Sequence, residues 1–163
     1  MGRTVKAGRS VFVAGVEFFS ARGEPIAIAA GSFMSAPDPS LTPPTLSSEG
    51  FVTQERLRVP FAERAGCERT GPGVAMLRHS ADGLNASNTV NGGLIALAAE
   101  EAVLSLAPGD TLCSLALRYL QAVRVGPVVA TGRLQDGLGQ VELRDTGNTN
   151  RLCVMATAGT FGP

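Results

Sequence analysis

Asn85-Ala86-Ser87-Asn88-Thr89-Val90-Asn91-Gly92-Gly93 runs directly into Leu94-Ile95-Ala96-Leu97-Ala98-Ala99-Glu100-Glu101-Ala102. A polar loop closing on two glycines feeds a segment that is apolar on nearly every side. A helix of that composition is expected to be buried. Two carboxylates nevertheless sit in its middle, and Glu is rarely buried without a partner or a task. The glycines leave backbone N–H groups bare at the helix start, where the dipole is positive. At about 1.5 Å of rise per residue, an oxyanion-type donor set then stands two to three turns from a carboxylate. Donors for a developing oxyanion and a base for water are the requirements of acyl transfer.

Outward from this segment, the pattern becomes β. Gly73–Arg78 reads as a strand before the loop, and Pro108-Gly109 ends the helix. Four strand-like runs follow, Thr111–Gln121, Val128–Gln135, Gln140–Asp145 and Arg151–Phe161, joined by Gly126-Pro127, Asp136-Gly137 and Thr146-Gly147-Asn148. Those are turn residues of a meander. In the first run Cys113, Leu115, Leu117 and Tyr119 alternate with smaller or polar residues, the period of a half-buried strand. Upstream, Pro60 opens a short helix over Phe61–Ala65. Residues 10–19 and 25–33 are expected as two strands around the turn Ser20-Ala21-Arg22-Gly23-Glu24. Three divisions result: an N-terminal β-hairpin over 1–35, a Pro- and Ser-rich linker over 36–52, and a main domain over 53–163. A short internal match links Ala29-Ala30-Gly31-Ser32-Phe33 to Thr157-Ala158-Gly159-Thr160-Phe161.

The chain has 163 residues and a formal net charge of zero, with no basic block. Nucleic acid and anionic membrane are therefore poor partners for it. Val11-Phe12-Val13-Ala14-Gly15-Val16 is short and followed by Glu17, so it reads as a strand rather than a leader. No segment is long enough to span a bilayer, and the cytoplasm is the default location. Three cysteines, Cys67, Cys113 and Cys153, lack CxxC spacing and are expected as buried free thiols. No metal-ligand spacing exists, and His79 is the only histidine.

These residues resemble the hotdog-fold acyl-CoA thioesterases of the phenylacetate-degradation type. The family pattern is Asn, then His-Gly-Gly six residues on, then Asp or Glu nine residues after the His; here Asn85, Asn91-Gly92-Gly93 and Glu100 hold that spacing. Leu117-Arg118-Tyr119-Leu120, Gly126-Pro127-Val128-Val129-Ala130 and Ala158-Gly159-Thr160-Phe161 resemble the family's strands, so the likeness covers roughly 53–163. The first 35 residues resemble the last two strands of a similar domain. That implies either a double-hotdog protein whose first half is mostly missing or a single domain with an extra hairpin. Two departures stand out. The family's His is Asn91, which donates but does not titrate, and the position four residues after the acid, often Ser or Thr, is Leu104.

The resemblance implies an α+β hotdog fold, a curved antiparallel sheet around one central helix, assembled as a homodimer or tetramer. It implies hydrolysis of an acyl-CoA thioester without cofactor or metal. Glu100 would be base or nucleophile, the Gly93 N–H would polarise the carbonyl, and Asn85 and Asn91 would orient carbonyl or water. A non-catalytic acyl-CoA-binding or structural subunit is the alternative, favoured by both departures. Glu101 points to another helix face and reads as structural. Asn85 and Asn91 also suit simple loop capping. Arg9, Arg118 and Arg124 could grip a CoA phosphate but read first as solvated arginines.

Overall fold

A computed structural model describes residues 1–34, 56–85 and 87–162. The chain divides into two compact units, Met1–Leu46 and Ser47–Pro163. The expected linker over 36–52 and Ala86 lie outside the described residues.

The first unit holds β1 (Gly2–Ala7), β2 (Val11–Phe19) and β3 (Pro25–Met34) in one antiparallel sheet, in that order. Two strands are expected from the sequence; the sheet has a third, β1. Its residues Gly2-Arg3-Thr4-Val5-Lys6-Ala7 are all exposed, so there is no half-buried period to read. The register puts Phe12 opposite Phe33, Ala14 opposite Gly31 and Val16 opposite Ala29. The Phe12 and Phe33 rings lie 6.3 Å apart. The Ser20 hydroxyl oxygen accepts from the N–H groups of Arg22 (3.1 Å) and Glu24 (3.2 Å), which closes the turn between β2 and β3.

The second unit contains α1 (Phe61–Ala65), β4 (Cys67–Gly71), β5 (Val74–Leu77), α2 (Gly92–Leu104), β6 (Thr111–Tyr119), β7 (Val128–Gln135), β8 (Leu138–Asp145) and β9 (Arg151–Phe161). The six strands form one antiparallel sheet in the order β4-β5-β7-β8-β9-β6. Helix α2 packs against every one of them. This is the α+β arrangement of the hotdog fold. The expected strand ending at Arg78 stops at Leu77, the helix stops at Leu104 rather than at Pro108, and β4 goes unread because only its first residue is buried. The expected meander is confined to β7, β8 and β9. Strand β6 lies beyond β9 at the edge of the sheet, paired Leu115 to Ala158 and Leu117 to Ala156. The matching pentapeptides of β3 and β9 thus each close a three-stranded meander, β1-β2-β3 and β7-β8-β9.

The core explains why α2 is so rich in alanine. Ile95, Ala98, Ala99, Ala102 and Val103 are its buried residues. They meet Ala75 and Leu77 of β5, Ala130 of β7, Val141 and Leu143 of β8, and Val154, Ala156 and Ala158 of β9. Small side chains let the helix approach closely. A Cβ at Gly132 would stand 3.7 Å from the Ala102 backbone. Buried Asp145 is the main polar exception: its carboxylate accepts from the N–H groups of Arg124 (3.0 Å), Val125 (3.2 Å) and Gly126 (2.7 Å). One charge thereby satisfies the connection that leads into β7. The cysteines are all free; Cys67 and Cys153 are buried, but Cys113, on the outward side of β6, is exposed, contrary to expectation.

Candidate functional site

Burial divides α2 into two faces. The residues at 95, 98, 99, 102 and 103 follow the i, i+3, i+4 rule and face the sheet. Ala96, Leu97, Glu100 and Leu104 are half-buried and Gly93 is exposed. The helix is therefore not buried all round, as its composition predicts. One apolar face is left open, and Glu100 sits in the middle of it. Among the described residues the Glu100 carboxylate makes no hydrogen bond and no ion pair. Glu101, about 100° further round the helix, is structural as expected: its carboxylate accepts from Arg69 Nε of β4 at 2.7 Å, with the glutamate 18% exposed. It faces Cys67, whose thiol burial first, and Glu101 second, push up to about 11.

Gly93 and Glu100 are seven residues apart. Seven steps of about 100° return to within roughly 20° of the starting direction, about 10 Å further along the axis. The helix start at Gly93 and the Glu100 carboxylate thus share one face.

The loop before the helix is built by its two asparagines. The Asn85 side-chain oxygen accepts from the Ser87 N–H (2.9 Å), the Thr89 N–H (3.2 Å) and the Thr89 hydroxyl (3.1 Å). Leu84 and Val90 bridge across this turn, and the Val90 N–H donates to the Val123 carbonyl at 3.0 Å. Asn91 is the N-cap of α2, and its side-chain oxygen accepts from the Gly93 N–H at 2.8 Å. Its own N–H donates to the Gly83 carbonyl at 2.8 Å. Both asparagines therefore cap the loop. The Gly93 N–H, the donor expected to meet a substrate carbonyl, is occupied by Asn91.

One residue of this region is read from the sequence only as part of a strand. Tyr119, at the end of β6, donates its hydroxyl to the Gly92 carbonyl at 2.8 Å. A Cβ at Gly92 would stand 3.1 Å from that hydroxyl, so glycine is what admits the phenol. The alternation of β6 marks Tyr119 only as an inward or edge residue, and no spacing rule joins it to Gly92. The remaining candidates stand apart. His79 is exposed, Arg118 donates to the Leu117 carbonyl at 3.2 Å, and Arg124 meets Asp145 through its backbone. Ser105, next to Leu104, donates to the Ala102 carbonyl and accepts from the Gly73 N–H, both on the sheet side. Among the described residues no cluster could hold a metal ion, and no helix is long and apolar enough to cross a membrane.

No family profile matches the sequence, and no curated protein is significantly similar to it. Solved structures are similar in fold. The PaaI protein from the phenylacetic acid degradation operon of Escherichia coli superposes with a TM-score of 0.51 at 17% identity, over 63% of this chain and 83% of that one. Thioesterase HI1161 from Haemophilus influenzae gives 0.51 at 19%, over 63% and 82%. The BH2602 protein from Bacillus halodurans, solved with CoA, gives 0.50 at 20%, over 62% and 74%. The fold of the second unit is thus one that thioesterases use.

Proposed function

We propose that the protein hydrolyses an acyl-CoA thioester, with Glu100, Gly93, Asn91 and Asn85 as the site. The observation that carries this reading is Glu100: a half-buried carboxylate without a partner among the described residues, on the open face of α2 that begins at the Gly93 N–H. Structures that share the fold include a thioesterase and a protein solved with CoA, which supports the substrate class.

The thioester oxygen takes the Gly93 N–H in place of the Asn91 side-chain oxygen. Asn91 turns, and its amide N–H donates to the same oxygen, so the negative charge that develops there meets two donors at a helix N-terminus. Asn85 keeps the loop in the shape that presents both. Water attacks the carbonyl carbon while a Glu100 carboxylate takes its proton. The tetrahedral intermediate expels the CoA sulfur, which recovers the proton from Glu100 as the C–S bond breaks. Direct attack by the carboxylate, followed by hydrolysis of the anhydride, uses the same groups.

Helix geometry favours a second copy as the source of the acid. A helical N–H points toward the N-terminus, away from Glu100 on its own helix, and the two lie about 10 Å apart along the axis. One water spans roughly 6 Å between a carboxylate and a carbonyl carbon, at hydrogen-bond lengths of about 2.8 Å. A two-fold axis across the open face would instead set the partner's Glu100 beside this Gly93, and would cover Ala96, Leu97 and Leu104. The functional unit of this reading is a homodimer with two shared sites, the commonest closed assembly.

The test is thiol release from short, medium, long and aromatic acyl-CoAs. Wild type should turn over at least one class, and Glu100→Ala should abolish it in a folded protein. Mixing inactive Glu100→Ala with an inactive Gly93→Pro should restore up to a quarter of the wild-type sites if the acid and the donor come from different copies. The alternative, an acyl-CoA-binding subunit without catalysis, is favoured by the Asn91–Gly93 bond and by Leu104. It would appear as CoA-ester binding with no thiol release.

A further inference from the structure

The Gly92–Gly93 peptide is held at both ends. Its N–H belongs to Gly93 and donates to Asn91 at 2.8 Å; its carbonyl belongs to Gly92 and accepts from the Tyr119 hydroxyl at 2.8 Å. Carbonyl and N–H are conjugated through the C–N bond, so they share one rigid plane and one electron distribution. A donor on the carbonyl withdraws density from the nitrogen and makes the N–H a stronger donor, and it also fixes the plane in which that N–H points. We propose that Tyr119 is a positioning residue of the acyl-transfer site: through the Gly92 carbonyl its hydroxyl orients and strengthens the Gly93 N–H that receives the substrate oxygen. The inference rests on the reading that Gly93 is that donor.

Packing alone does not account for the tyrosine. The residue is 55% exposed, and its side-chain hydrogen bond crosses from the end of the edge strand β6 to the first residue of α2. The register of β6 on β9, with Tyr119 opposite Val154, fixes where the phenol can reach. Gly92 leaves the space it reaches into, since a Cβ there would meet the hydroxyl at 3.1 Å and the ring carbon bearing it at 3.4 Å. Desolvation raises the phenol above its ordinary value, which favours the protonated, donating form.

Tyr119→Phe removes only the hydroxyl. Hydrogen-bond cooperativity of about 10–30%, applied to one oxyanion donor, corresponds to a fall in kcat of roughly two- to eightfold. KM should hold, because the effect grows with charge on the oxygen. The Gly93 amide proton resonance of the free protein should move upfield as its donor weakens. Gly92→Ala, which displaces the ring, should reproduce both changes. An unaltered kcat and an unaltered Gly93 resonance in Tyr119→Phe would overturn the proposal, as would a lowered melting temperature with full kcat, the signature of a merely structural tie. If wild type hydrolyses no acyl-CoA, the hydrolytic reading fails and the role of Tyr119 in acyl transfer fails with it; if wild type does hydrolyse one, an unmoved Gly93 resonance with unaltered kcat in Tyr119→Phe refutes Tyr119 alone.

Discussion

Asn91→Asp separates stability from catalysis at a single atom. The two side chains have the same shape, so the variant keeps an oxygen at the position that now accepts the Gly93 N–H at 2.8 Å. Asp caps helices about as well as Asn. Its negative charge also lies at the positive end of the α2 dipole, which adds about 0.3–1 kcal/mol. In a unit spanning Ser47–Pro163, that raises the melting temperature by roughly 1–5 °C. Catalysis should move the other way. The carboxylate has no N–H to offer a developing oxyanion, holds the Gly93 donor more firmly than the amide does, and repels the charge forming beside it. Loss of one oxyanion donor costs about 10²–10³ in kcat, and the added repulsion makes that a lower bound. Differential scanning calorimetry and a thiol-release assay on the same preparation read the two effects. A variant that is more stable yet keeps full turnover would show that the Asn91 side chain neither leaves nor donates during reaction. A lower melting temperature would show that the Asn91–Gly93 bond is not the cap that holds the helix start.

Other outcomes follow from the same geometry. Glu100→Gln, which removes a charge without partners from a half-buried face, should leave stability unchanged or higher while lowering kcat by about 10²–10⁴; unaltered turnover, with Glu101→Gln inactive, would show that Glu101 and not Glu100 is the acid. Asp145→Asn should cost about 1–3 kcal/mol by urea unfolding, since the buried Gly126 N–H and the part-buried N–H groups of Arg124 and Val125 lose a charged acceptor; a loss under about 0.5 kcal/mol would remove Asp145 from the structural core. The folded Cys67 thiol keeps its proton above the ordinary value of 9.0, up to about 11. The folded state then binds more protons than the unfolded one across that window, so this contribution is complete below pH 9 and fades as the pH climbs to 11. Wild type should therefore lose more stability over that range than Cys67→Ala, and parallel curves would refute the assignment.

The fold was legible where one face of an element is wet. Leu138–Asp145 alternates cleanly as β8, and Val128–Gln135 and Arg151–Phe161, set off by the turn residues Gly126-Pro127, Asp136-Gly137 and Thr146-Gly147-Asn148, appear as β7 and β9 with the expected bounds. Strands β1 and β4 escaped notice because their exposed, charged residues carry no period. The placement of β6 beyond β9 is a matter of topology, and nothing within Thr111–Tyr119 encodes its neighbour. At the candidate site, the seven-residue step from Gly93 to Glu100 shows that they share a face, because helical geometry is fixed. The sequence does not show that Asn91 would turn its oxygen onto Gly93, since an asparagine can cap, donate or face solvent equally well. Nor does it join Tyr119 to Gly92, because that contact depends on the register of a strand with a partner far along the chain.

That placement of β6 has a kinetic consequence. The chain makes β6 directly after α2, yet the strand finds no hydrogen-bonding neighbour until β7, β8 and β9 have been laid down in turn. Leu117 must wait for Ala156, and Val74 for Thr131, so much of the sheet rests on pairings between distant parts of the chain. Chains dominated by such pairings fold in milliseconds to seconds rather than microseconds. During that wait the apolar side of β6, with Leu112, Leu115 and Leu117, is open to other chains. A substitution that weakens β9 should therefore be felt first as a lower yield of folded protein at high concentration, before any change in the stability of the molecules that do fold.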